Sequence, residues 1–165
     1  MLLFDASSLI LLAKTELLEK FLGSFDGAVQ IPSEVRRECC GVKKSLDALL
    51  IEKAISEGRI MVKAVREKQL CRKIRSDFGL GNGESEAIAL AFSLKAKLVA
   101  IDDRNALNAC KLLKLPFTTA INILIGMREK GFIEKEAALI KLEALERYGR
   151  YKSSIIADAR LRLGG

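Results

Sequence analysis

Apolar residues fall in short blocks along the chain, and the blocks predict strands and helices in alternation. Leu2-Leu3-Phe4 reads as a buried strand, followed by Asp5, Ala6-Ser7-Ser8 and an apolar helix to Leu12. Gly23 to Gly27 reads as a loop, and Ala28 to Ile31 as a second strand. Pro32 or Ser33 opens a helix that Gly41 stops. Ser45 to Ser56 predicts a helix with Leu46, Leu49, Leu50 and Ala54 on its apolar side, and Ile60 to Val62 a strand. Val65 to Phe78 predicts a basic helix with a Leu70, Ile74, Phe78 stripe. Gly79, Gly81 and Gly83 supply a turn, then Glu84 and Glu86 open a helix carrying Ala87, Ile88, Ala91 and Leu94. Leu98 to Ile101 is a short buried strand ending on Asp102-Asp103. Further on come helices over Ala106–Leu113, Ala120–Lys130 and Ile133–Tyr148, an edge strand at Pro116–Thr118 and a short helix at Ile155–Leu163.

Strand and helix alternating in this way predict an α/β fold. The architecture is a Rossmann-like three-layer α/β/α with a central parallel sheet. The expected organisation is a core domain over residues 1–130 and a C-terminal helical extension over 131–165 packed on it. In such sheets ligands collect at the carboxyl ends of the strands. Acids follow the first strand (Asp5), sit on the next helix (Glu38), open a later helix (Glu84, Glu86) and follow a late strand (Asp102, Asp103), so parallel strands would bring them to one end. Taken singly, each has a plainer reading: Asp5 or Ser8 as a helix cap, and Glu34 and Glu38 as partners for Arg36 or Arg37.

Composition narrows the chemistry. The chain has 165 residues, half of them apolar, with no apolar run of membrane-spanning length. The N-terminal apolar stretch lacks a basic leader and is interrupted by Asp5, so it reads as a strand entering a helix and not as a signal peptide. The four cysteines have no C-x-x-C spacing and read as reduced structural thiols of a cytoplasmic protein. A net charge of +7 suits a polyanion such as RNA, and Arg66, Lys68, Arg72, Lys73 and Arg75 crowd one helix. The chain contains no histidine, which removes Ser-His-Asp triads, Cys-His dyads and imidazole ligands together. Clustered carboxylates stay ionised together when a cation offsets their charge, and hard oxygen donors select Mg²⁺ or Mn²⁺.

FDASSLI, Glu38 in IPSEVRREC, GNGESEAIALA, and LVAIDDRNA followed by LPFTT together resemble the PIN-domain ribonucleases, over roughly residues 2 to 130. The resemblance is greatest to the compact prokaryotic members. It implies a metal-dependent endoribonuclease whose ligands are Asp5, Glu38, Glu86 and Asp102. The doubled acids leave the register open, so Glu84 and Asp103 could replace their neighbours; Ser8 would orient Asp5 or an attacking water, and on this reading Arg104 and Asn105 would orient the substrate. It further implies a homodimer and, for toxin-like members, an antitoxin protein as partner. Many relatives carry Thr or Ser two residues before the late-strand acid, where this chain has Ala100. That departure favours an alternative, a catalytically weak RNA- or protein-binding module. A small-molecule phosphohydrolase ranks last, because the D-x-D nucleophile motif is absent after Asp5.

Overall fold

A computed structural model of the chain describes residues 1–42 and 45–164. Gly165, the last residue of the expected extension, lies outside the described residues. Five strands form the sheet: β1 (Leu2–Phe4), β2 (Val29–Pro32), β3 (Met61–Lys63), β4 (Leu98–Ala100) and β5 (Phe117–Thr118). Among the described residues, ten helices surround it: α1 (Ala6–Lys14), α2 (Leu18–Ser24), α3 (Ser33–Cys40), α4 (Leu46–Ser56), α5 (Lys68–Phe78), α6 (Asn82–Leu94), α7 (Arg104–Leu112), α8 (Ala120–Glu129), α9 (Lys135–Tyr148) and α10 (Ser153–Arg162). Every strand pair is parallel, in the order β3-β2-β1-β4-β5. The fold is therefore the expected three-layer α/β/α architecture.

Period-two alternation divides the core between the two faces of the sheet. Leu2 and Phe4 of β1, Val29 and Ile31 of β2 and Ala100 of β4 pack with α1, α8 and α9. Leu3 and Val99 pack with α5, α6 and α7 on the other face, through Ile74, Ile88, Ala91 and Ala109. Ala138, Leu142 and Leu145 of α9 and Ile156 and Ala159 of α10 join the first of these layers.

Several helices differ from the expected pattern. The Gly23–Gly27 loop begins as α2, because Leu18 and Phe21 are buried and Gly23 is tolerated near the end of that helix. On α4 the buried stripe is Asp47, Ala48, Ile51 and Ala54, while Leu46 and Leu49 are exposed. The segment has apolar residues on two sides, and packing against α1 selects the one with the small residues. α9 starts at Lys135, two residues after the expected Ile133, with Glu134 at its N-cap, and it buries Ala138, Leu142 and Leu145 while Ile140 is exposed.

The strand order reverses direction between β1 and β4, the two central neighbours. A sheet of this kind opens a crevice there, outside the carboxyl ends of the strands. The Asp5 amide donates to the Ala100 carbonyl (3.1 Å), so the chain leaves both strands side by side. Asp5 and Asp102 are the first acids after those two strand ends.

Candidate active site

Asp5 is fully buried and caps α1. Its Oδ1 accepts from the Ser8 amide (2.8 Å) and its Oδ2 from the Ser7 hydroxyl (2.7 Å). The capping role and the site position therefore coexist in one residue. Burial pushes its pKa up to about 7; the Asp102 charge adds to the rise, and the hydrogen bonds from Ser8 and Ser7 oppose it. Asp102 lies beside it, half-buried. Its carboxylate accepts from the Ala120 amide at the start of α8 (3.0 Å to Oδ2, 3.3 Å to Oδ1) and from the Tyr151 hydroxyl (2.5 Å to Oδ1). Burial raises its pKa too, against the pull of Tyr151, Ser8 and Ala120. The Ser8 hydroxyl is close enough to both carboxylates to lower their pKa values. It is nonetheless buried without a hydrogen-bond partner of acceptable geometry.

A second group of acids gathers at the start of α6. Glu38 Oε1 accepts from the Gly83 amide (2.9 Å). A Cβ on Gly83 would stand 2.5 Å from Glu38 Oε2, so the approach requires glycine there. Glu84 folds back to accept from the Gly81 amide (2.8 Å), the one half of a capping box that a glycine N-cap allows. Its pKa is raised by burial first, then by the charges of Asp103 and Glu38. Asp103 caps α7 through the amides of Asn105 (2.8 Å) and Ala106 (2.9 Å). That cap starts α7 at Arg104, two residues before the expected position, and leaves the Arg104 and Asn105 side chains exposed.

Glu86 stands apart. It lies beyond the first turn of α6 and pairs with Lys68 of α5 (3.0 Å). It lines a surface hollow with Lys68, Arg72, Arg75 and Asn82. Arg75 donates to Asn82 Oδ1 (2.6 Å), and Lys73 pairs with Asp77 (3.0 Å). Of the two α3 acids, Glu34 pairs with Arg37, whereas Glu38 turns to α6.

The donors at Asp5, Ser8 and Asp102 are all oxygen, and one buried hydroxyl among them lacks a partner; that chemistry fits a hard divalent cation. Among the described residues, no group of three or more Asp, Glu, Cys or His is drawn together closely enough to hold a metal ion as it stands. Burial pushes the Cys40 and Cys110 thiols up to about 11 and raises Cys71 too, which disfavours the nucleophilic thiolate at these three cysteines.

Tyr151 was not among the residues singled out from the sequence. It comes from the segment between α9 and α10, and no local pattern ties it to an acid 49 residues earlier.

A parallel sheet with two adjacent acids, Asp5 and Asp102, at its reversal point and a second group of acids at the start of α6 defines the class as a three-layer α/β domain with carboxylates at the carboxyl ends of its central strands. The chain belongs to the PIN-domain family: the family model DUF3368, described as a PIN domain, matches residues 1–165. PIN domains are generally nucleases, hydrolases that typically use a divalent metal. Comparison with curated proteins returns no match. No helix among the described residues is long and apolar enough to cross a membrane.

Proposed function

We propose that the protein is a Mg²⁺- or Mn²⁺-dependent endoribonuclease. The observation that carries this reading is the convergence of Asp5 and Asp102 at the carboxyl ends of β1 and β4, around the unsatisfied Ser8 hydroxyl. Asp5 and Asp102 would hold the cation, with Glu38 completing the set. Glu84 is better placed than Glu86 to assist, since Glu84 shares its field with Glu38 and Asp103 while Glu86 is paired with Lys68. Held there, a divalent cation would supply Lewis-acid polarisation of a phosphoryl oxygen and an activated water near neutral pH.

The chain's own residues do the positioning. Ser7 and the Ser8 amide fix both oxygens of Asp5, and the Ala120 amide fixes Asp102. The α6 amide at Gly83 holds Glu38. Arg72 of α5 and Arg104 of α7 are exposed cations that bind RNA phosphates, with Asn105 beside Arg104. A cytoplasmic toxin role, with an antitoxin protein as partner and a homodimer as the working form, rests on likeness to the family's toxin members.

The reading is tested on a structured RNA with purified protein. Cleavage in Mn²⁺, stopped by EDTA and absent in Asp5→Asn, is expected; cleavage that persists in Asp5→Asn overturns it. A second reading, an RNA-binding module without catalysis, is favoured by the acids that do not close into a cage and by Ala100. It predicts tight RNA binding in EDTA and no cleavage when Mn²⁺ is added.

A further inference from the structure

We infer that Tyr151 is a positioning residue for Asp102, and that the C-terminal helices α9 and α10 serve the site by delivering its hydroxyl. The inference rests on the metal-site reading above. The Tyr151 side chain is half-buried against the core layer of α1, α8 and α9, so packing sets the direction of its hydroxyl. The ring also presses on the backbone at Gly149. A Cβ there would lie 2.3 Å from ring carbon Cε2 and 2.8 Å from the Leu145 carbonyl oxygen, so only glycine admits this approach. On the far side of the segment, α10 is anchored through Ile156 and Ala159, and Leu163 just after it is buried in the same layer. The loop is thus held at both ends, with the hydroxyl 2.5 Å from Asp102 Oδ1.

Geometry separates a positioning role from a blocking one. A carboxylate has about four lone-pair sites. Asp102 uses Oδ1 for Tyr151 and shares the single Ala120 amide between its two oxygens. Capacity to bind a cation remains, while the plane of the carboxylate is fixed from two directions. Ala100, fully buried two residues before Asp102, brings no hydroxyl of its own. Partners that orient a ligating carboxylate typically change metal affinity about 10–100-fold when removed.

The test is calorimetric titration of Mn²⁺ into the full-length protein and into Tyr151→Phe, with Tyr148→Phe as control and a thermal melt of each. Tyr151→Phe keeps the packed ring and loses only the hydroxyl. It should weaken Mn²⁺ binding by about tenfold or more while its melt stays close to wild type, and Tyr148→Phe should match wild type in both. If Tyr151→Phe fails to fold, Gly149→Ala carries the same prediction, because it keeps the hydroxyl and displaces the ring. Wild-type binding that is unchanged or tighter in the variant overturns the inference alone. No Mn²⁺ binding by the wild type overturns the metal reading and this role with it.

Discussion

Asp5 is charged at a cost to the fold. Its carboxyl titrates near 7 in the folded chain and near 3.8 when unfolded, so between those values the folded state holds the extra proton. Stability of the metal-free protein therefore falls as pH rises through that window, by up to roughly 4 kcal/mol from this group. Asp102 and Glu84 shift in the same direction and add to the slope. Asp5→Asn keeps an acceptor for the Ser8 amide and removes the charge. In EDTA it should melt higher than wild type at pH 8 and show little difference at pH 4; a variant less stable at pH 8 would contradict the assignment. Gly83→Ala probes the second group of acids. Alanine gains about 1 kcal/mol in helix propensity, and the atom it meets is the movable end of Glu38. The melt should change little, while Mn²⁺ affinity falls as Glu38 is displaced. A melt lowered by several degrees would show that Glu38 cannot give way.

At the scale of elements, short apolar strands ending in acids were legible because burial and termination are both local. Leu2-Leu3-Phe4 before Asp5, and Leu98-Val99-Ala100 before Ile101 and Asp102, needed no distant information. Helix faces were less so. On α4, leucines on two sides left the choice to α1, and on α6 two acids two residues apart both suit a helix start. Only the third dimension sends Glu84 toward Glu38 and Glu86 toward Lys68. The basic face of α5 was visible as composition, and its use is open to measurement. Replacing Arg72 and Arg104 with alanine should weaken RNA binding. It should also flatten the dependence of log K on log salt by about 0.7 per lost phosphate contact. An unchanged slope would place the RNA elsewhere.

Across the whole molecule, the ends of β1 and β4 and the starts of α1 and α8 are brought to one end of the sheet, and the segment between α9 and α10 returns to it. The parallel order β3-β2-β1-β4-β5 puts Asp5 and Asp102 together although 97 positions separate them in the chain. Tyr151 joins them from the far end, a contact set by the packing of α9 and α10 and by the missing side chain at Gly149. Such a contact leaves no periodicity or spacing to read. The arrangement holds two acids against their mutual repulsion and their burial, and a bound cation would relieve both. The most direct measurement is therefore the melting temperature at pH 8 with and without Mn²⁺, for the wild type and Asp5→Asn. The wild type should rise with Mn²⁺, as binding to the native state alone requires. Asp5→Asn should start higher and stay where it starts. A wild type indifferent to Mn²⁺, or a variant that responds equally, would contradict a metal site built on Asp5 and Asp102.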